Sequence, residues 1–516
     1  MKKIVPILVC LVFGFAIINS CKKDPVIPTL TTKDVTNITI NSATTGGSIT
    51  KDGGAGVTAR GVCWGTSENP AIAGSHTSDD SGVGIFISNI TGLTPNTVYH
   101  IRAYATNKAG TAYGVDISFT TKPLVVPTVT TTAITSITLT TAVSGGNITD
   151  DGNADITAKG VCWATTAGPT ITSSLTTDGT GKGSFVSNLS GLQPGITYFL
   201  RAYATNSAGT SYGNEITFTT IAVVVPTLTT AGITAIILTT AASGGNISTD
   251  GGGVITARGT CWATTPVPTI AKSKTSDATG TGSFVSNLTG LLPGTLYYVR
   301  AYATNSKGTS YGNELSFYTK IADADGNIYS TVLIGAQLWM GENLKTTKYS
   351  NGVSIGTTVT PSDNVTGLTT PYQWPVYNGG IDISATYGRL YTWYAVTDSR
   401  NICPTGWHVP TDTELEALKT TLGGELVAGG KLKEAGLIHW TTPNTGATNN
   451  TGFTALPAGY RQPGGGYVSL GLSCYLWSSN PDDTSLGWGQ QMSNNTGVLL
   501  RGGYIYQSGI SVRCLK

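Results

Sequence analysis

The chain repeats itself at a constant step of 99 residues, and this period constrains its fold more than any other feature. Pro28, Pro127 and Pro226 each open a Pro-Thr-(Leu/Val)-Thr-Thr segment, followed by Gly46-Gly47, Gly145-Gly146 and Gly244-Gly245, then by Cys63-Trp64, Cys162-Trp163 and Cys261-Trp262. The same step links Tyr99, Tyr198 and Tyr297. Each copy must therefore be one structural unit, used three times. Tyr99, Ile101, Ala103 and Ala105 fall on one face of an alternating segment and His100, Arg102, Tyr104 and Thr106 on the other, the period of a half-buried strand. Asn107 to Gly110 supplies a turn into a last strand expected at Val115 to Thr121. Turn signals every 8–12 residues or so in a unit of about 100 suit a seven-strand sandwich. Composition agrees, since 67 Gly, 22 Pro and only 11% charged residues suit short strands and tight turns.

The segments Leu93-Thr-Pro-Asn-Thr-Val-Tyr99, Arg102-Ala-Tyr-Ala-Thr-Asn107 and Gly110-Thr-Ala-Tyr-Gly114, with their counterparts, resemble fibronectin type III domains. The resemblance implies that each Tyr turns a corner by hydrogen-bonding back to the chain. It covers residues 28–320 and says little about function, because that fold hosts many roles. One cysteine per copy reads as a small buried residue, the alternatives being redox chemistry or metal binding. Trp64, Trp163 and Trp262 read as packing residues or as a repeated sugar-stacking platform. Strand parity places each Trp opposite its Cys, so only one of the pair can face the core, and the sequence leaves open which. The linkers Lys122-Pro-Leu-Val-Val-Pro127 and Ile221-Ala-Val-Val-Val-Pro226 are short, apolar and proline-ended, hence stiff. Three sandwiches of about 25–35 Å in tandem would make a stalk on the order of 70–100 Å long.

After Thr319 the pattern stops, and seven of the ten Trp lie between Trp339 and Trp488. Six segments follow in order: Asp323-Ala-Asp-Gly-Asn-Ile-Tyr329, Ile334 to Leu344, Tyr387-Gly-Arg-Leu-Tyr-Thr-Trp-Tyr394, Cys403-Pro-Thr-Gly-Trp-His-Val-Pro410, Gly452 to Pro457 and Ser511-Val-Arg-Cys514. Together they resemble the Fibrobacter succinogenes major paralogous domain of secreted and lipid-anchored bacterial proteins, which implies a C-type-lectin-like fold. Independently, a cap-like Thr411-Asp412, Glu414, and Leu415, Leu418 and Leu422 at helical spacing predict an amphipathic helix over Thr411 to Leu422. Cys403 precedes that helix and Cys514 lies at the end of the chain, so a Cys403–Cys514 disulfide would tie the two in an oxidising compartment. Cys474 is left over, either buried or an alternative partner for Cys514.

The N-terminus bears on the compartment. Met1-Lys2-Lys3, the apolar run Ile4 to Ile18, and Ile18-Asn19-Ser20-Cys21 have the form of a secretory signal. The apolar run falls short of the roughly 20 residues a spanning helix needs. Its ending resembles the lipobox of bacterial lipoproteins, which implies acylation of Cys21 and attachment to a membrane through lipid; an ordinary signal with Cys21 incidental is the alternative. Lys22-Lys23-Asp24 resembles the surface-export signals of Bacteroidota lipoproteins, with one Asp in place of an acidic run. Cell envelope, outer membrane and surface exposure are the expected location. The chain thus divides into a leader at 1–20, a tether at 21–27, repeats with their linkers at 28–121, 122–220 and 221–320, and a head at 321–516. The fold class is mostly β: three tandem immunoglobulin/fibronectin-like β-sandwiches followed by an α+β, C-type-lectin-like domain.

Charge and chemistry narrow the function. Of 30 Lys+Arg against 28 Asp+Glu, Lys2 and Lys3 leave with the leader, so the mature chain is formally neutral. No basic stripe suited to nucleic acid exists. The four His, at 76, 100, 408 and 439, lack HExxH or clustered Cys/His spacing, and no catalytic or metal-binding set stands out. His408 reads as a structural hydrogen-bonder. Leu500-Arg-Gly-Gly503 is similar to formylglycine-generating enzymes, whose chemistry would need a reactive pair from Cys474 and Cys514; an enzyme is the remote alternative. Asn480-Pro481-Asp482 resembles one half of a calcium-dependent lectin motif, while Trp488-Gly489-Gln490 departs from the other. Asp323, Asp325 and Asn327 have calcium-loop flavour without the distal Glu of an EF-hand and read as a turn. No cofactor is implied, calcium being only an alternative. The leading expectation is a non-enzymatic stalk-and-head lipoprotein that binds glycan or polysaccharide through Asn480, Asp482, Asp483, Trp488 and Gln490. The alternative is an adhesin or scaffold that binds a surface protein. The loops Gln462 to Gly466 and Asn480 to Asn495 are where contacts are expected.

Overall fold

A computed structural model describes residues 23–516; the expected leader and Cys21, the expected acylation site, lie outside the described residues. The first repeat contains β1 (Thr29–Thr32), β2 (Ser42–Lys51), β3 (Ala59–Gly65), β4 (Ser75–His76), β5 (Gly84–Thr91), β6 (Val98–Asn107), β7 (Gly110–Tyr113) and β8 (Ile117–Thr120). They form two antiparallel sheets, β1-β2-β5 and β4-β3-β6-β7, with β8 also paired to β6. Repeats 2 and 3 have the same strand order. The strand expected at Val115 to Thr121 is shorter and preceded by a break. Gly114 packs so closely on β1 that a Cβ there would lie 2.5 Å from the Thr32 hydroxyl, and the edge continues as two pieces.

The alternation along β6 places side chains as expected: Tyr99, Ile101, Ala103 and Ala105 are buried in the first core, with Phe86, Ile90 and Phe119. The Tyr99 hydroxyl accepts from the Thr94 N–H at 3.1 Å, and Tyr198 and Tyr297 do the same with Gln193 and Leu292. The parity question resolves in favour of tryptophan. Trp64 and Trp163 pack against their cores and Trp262 lies within its own, which leaves no sugar platform there. Each cysteine is buried on the outer face of its sheet instead. Cys63 Sγ reaches the Pro70 and Arg102 carbonyls beneath the loop between β3 and β4. Burial pushes the Cys63, Cys162 and Cys261 thiols up to about 11, so thiolate chemistry is suppressed.

The asparagine ending β6 has a structural task. Asn107 Nδ2 donates to the Val26 and Asp52 carbonyls, Asn206 to Val125 and Asp151, and Asn305 to Val224 and Asp250. The segment before each Pro-Thr start is thus held by the repeat that follows it. Lys122, at the start of the first linker, is held by the repeat before it, its N–H donating to Thr39 at 3.0 Å.

Two compact units divide the chain, residues 1–222 and 223–516. The head belongs to the second. Its helices are α1 (Ser384–Tyr387), α2 (Trp393–Val396), α3 (Asp412–Thr421) and α4 (Glu425–Leu432). One antiparallel sheet joins Ser473–Pro481, Leu486–Ser493 and Leu500–Ile505 in that order, and the other strands pair in twos. α3 is the predicted helix, capped by Thr411 in a reciprocal box with Glu414. The final segment threads the core. Ile510, Val512, Cys514 and Leu515 are buried, Met340 N–H donates to the Cys514 carbonyl, and Leu515 exchanges backbone hydrogen bonds with His408. Cys403 and Cys514 are joined by a disulfide, and Cys474 is free and buried. No helix among the described residues is long and apolar enough to cross a membrane, which says nothing of β-barrels.

Candidate functional site

Most of the aromatic wealth of the head goes into its core. Trp339, Trp374, Trp407, Trp440 and Trp477 are buried, leaving Trp393 and Trp488 half-exposed. Trp488 is not a free platform, because the Arg501 guanidinium lies 3.3 Å over its ring. Arg501 is itself held by Asp412 at 2.8 Å. Asn480 completes this cluster by accepting from the Asp412 N–H at 2.7 Å, at the first turn of α3. Both residues expected to touch ligand therefore help fasten the sheet to the helix.

Gln490 departs further from expectation. It is 1% exposed, and neither polar atom of its amide has a protein partner. Alternation along its strand points it, like Met492, into the layer covered by the helices. It cannot contact a ligand on the surface. Asn480, Asp482 and Asp483 of the expected set are exposed, and with Asn480 Oδ1 committed to the helix, the two aspartates are the free carboxylates. They form the tip of the hairpin, where the Asp482 N–H donates to the Leu486 carbonyl at 2.6 Å. Asp483 Oδ1 accepts from the Ser485 N–H and hydroxyl and the Leu486 N–H. Those backbone donors hold the Asp483 carboxyl below the usual carboxylate range, and its Oδ2 faces outward uncommitted.

Beside this tip stands an aromatic group that the sequence reading did not single out. Trp393 stacks on Tyr506 with centroids 4.1 Å apart, and Tyr394 meets Tyr506 edge-on at 5.6 Å. The Tyr506 hydroxyl donates to the Asp483 carbonyl at 2.7 Å, fastening the cluster to the hairpin. Trp393 also packs against the main core with its indole nitrogen buried, and Tyr394 is half-buried with part of its ring accessible. The adjacent Trp-Tyr pair closing the Tyr387–Tyr394 segment was the available signal. The arrangement offers aromatic surface next to two carboxylates, with the means to stack on an apolar ring face and accept hydrogen bonds from hydroxyls.

Other candidates have internal roles. His408 Nε2 lies 3.0 Å from Glu414. Burial alone would raise the Glu414 carboxyl, but the Thr411 N–H and hydroxyl together with His408 bring it below its ordinary range. Asp323 accepts from the Asp325 and Asn327 N–H groups and the Tyr329 hydroxyl, and Asp325 holds Thr347 and Lys348; both serve as turn supports. No cluster of three or more His, Cys, Asp or Glu side chains suited to a metal occurs among the described residues. Burial pushes Cys474 up to about 12, and Cys514 is in the disulfide, so these two do not form a reactive thiol pair. The Gln462 to Gly466 loop packs on residues 361–365. A Cβ at Gly465 would lie 1.9 Å from the Ser362 carbonyl oxygen, and Arg461 donates to the Pro361 and Asp363 carbonyls.

Fold and site together define a protein of tandem β-sandwiches carrying a loop-rich α+β head. Residues 332–516 match the Fibrobacter succinogenes major domain family, so the head carries the domain its motifs resemble. No curated protein matches the chain. Among matching solved structures, the chicken CNTN1 FN1-FN3 domains share 14% identity over 57% of this chain and 99% of theirs, with a TM-score of 0.18. The fibronectin-like assignment here rests on strand order and the tyrosine corner.

Proposed function

We propose that this protein is a lipid-anchored component of the bacterial cell surface that binds glycan through its head, with the three repeats as spacer and no catalytic role. The carrying observation is the exposed Asp482–Asp483 tip beside half-buried Tyr394, which Trp393 and Tyr506 back from the core. That pairing suits a sugar, which presents C–H faces and hydroxyls together. The terminal Cys21 motif supports anchoring, and the match to a domain family of exported proteins supports surface display. The test is a glycan-array and polysaccharide-pulldown screen with the purified mature chain, with and without calcium. Binding that Tyr394→Ala and Asp482→Asn abolish at unchanged melting temperature is the expected result. Absence of binding to every glycan overturns the reading.

A second reading, a protein-binding adhesin or scaffold, rests on another surface. Leu426 and Val427 of α4, and Leu437 and Ile438 after it, are exposed, Ile438 to 81%. Large apolar side chains left in water over so short a stretch suit a protein partner. Crosslinking on cells that fails when Leu426 and Ile438 are both changed to Ser would select this reading.

A further inference from the structure

One cross-strand pair, in the same register in all three repeats, differs in its residues in a way that spacer duty does not explain. The cross-strand pair is Val98 and Thr120 in repeat 1, Thr197 and Thr219 in repeat 2, and Leu296 and Tyr318 in repeat 3. In repeat 1, Val98 is 50% exposed and Thr120 is also exposed. In repeat 2 the two hydroxyls bond each other at 2.8 Å on the surface. In repeat 3 both residues are half-buried, and Tyr318 packs against the main core of the head.

The neighbouring loop differs in what it receives. Gly294 occupies the place of Asn96 in repeat 1 and of Gly195 in repeat 2, where a Cβ would meet Ala222 at 3.1 Å. A Cβ on Gly294 would lie 2.9 Å from Ile321 and 3.4 Å from the Trp407 indole nitrogen. Lys516, the last residue of the sequence, donates from its Nζ to the Gly294 carbonyl. Trp407 and Ile321 are both buried in the same core that Tyr318 joins. The hydroxyl pair of repeat 2 has become an apolar pair, and the glycine that repeat 2 also carries receives an indole here.

We infer that repeat 3 is the docking partner of the head: its Leu296–Tyr318 face and Gly294 loop receive Trp407 and Lys516, and residues 223–516 act as one body. This surface is specific to repeat 3. Ordinary transfer of apolar area from water drives the contact, and the glycine fixes its closeness. The inference stands apart from any ligand of the head.

Gly294→Asn in the full mature chain tests it cleanly. Asn96 adopts φ +50° at the matching place and Gly294 φ +58°, so the sandwich accommodates Asn, and only the approach of Ile321 and Trp407 suffers. Calorimetry and hydrogen exchange are the readouts. The expected result is that repeat 3 and the head, which melt together in the parent, separate into two transitions. Exchange at Leu515 and Lys516 should also rise by roughly tenfold or more while the amides of the repeat 3 core keep their protection. Leu296→Thr with Tyr318→Thr, the residues of repeat 2, should do the same. A single transition with unchanged exchange in both variants overturns the inference. So does an equal effect from Thr197→Leu with Thr219→Tyr in repeat 2.

Discussion

The sandwiches and the head face the same physical demand, that buried backbone groups find partners, and meet it differently. In the repeats, long ladders satisfy the backbone, such as the seven-residue register of β3 with β6 from Ala59–Thr106 to Gly65–His100. The head has few such ladders, and buried cations take their place. Lys433 donates to the Thr445, Ser493 and Thr496 carbonyls, each at 2.9 Å. Arg461 serves Pro361, Gln462 and Asp363, and Arg513 serves Phe453, Thr454 and the Asn343 amide oxygen. All three are almost fully buried, and each lies over an aromatic ring, of Trp440, Trp374 and Phe453 respectively. Lys and Arg carry only donors, which suits loops rich in unpaired carbonyls. Each sandwich has two such cations at its surface: Arg60, Lys159 or Arg258 over Phe86, Phe185 or Phe284, and Arg102, Arg201 or Arg300 over Tyr113, Tyr212 or Tyr311. Loop-rich folding thus takes into the interior a device that ladder-rich folding keeps at its rim.

The contrast can be broken from the head side first. Replacing Cys403 and Cys514 by Ala releases a loop of 111 residues in sequence separation, which should cost the head about 4–5 kcal/mol by chain entropy. Chemical denaturation should show residues 1–222 unaffected. Arg513→Met strands buried carbonyls and should cost the head about 3–4 kcal/mol, measured in the same way. An equal loss in both units would end the distinction.

A pH series sharpens it. Burial pulls Lys433 down to about 8, while the unfolded chain keeps an ordinary lysine near pKa 10.4. Between those values the unfolded state binds more protons, so the stability of the head should rise with pH, by up to about 3 kcal/mol across the window. Lys433→Met should flatten that rise, and an unchanged slope in the variant would reassign it. The smallest effect lies in the sandwiches. Arg60 and Arg258 donate to two or more turn carbonyls, whereas Lys159 reaches only Gly181. Lys159→Arg should therefore stabilise repeat 2 by about 0.5–1 kcal/mol in thermal unfolding.

The two regions also differed in how far their residues could be read beforehand. Period-two alternation directly reports which way a strand side chain points, so the buried face of β6 was legible from Tyr99 to Ala105. The Cys-Trp parity argument found the right dichotomy, but choosing between them required knowing that the β3–β4 loop covers the outer face. In the head only α3, with its capping box and leucine spacing, had comparable periodicity. Trp477 and Trp339 are buried by distant segments, Trp477 donating to the Tyr391 carbonyl at 2.7 Å, and no local pattern announces that. For the same reason nothing local to Trp488 announces the Arg501 above it, and Tyr394 gains its place only through Asp483 and Tyr506, about 90 and 110 residues away.

The asparagine latches have a consequence for how such a chain changes length. The first linker is held at Lys122 by the repeat behind it and at Pro123 and Val125 by the repeat ahead, so the seam falls between Lys122 and Pro123. Each 99-residue segment brings both halves of its fastening with it. Duplicating or deleting one of the first two therefore creates no new junction chemistry, and in-frame recombination between copies that keeps repeat 3 beside the head would yield folded arrays of different lengths from one gene.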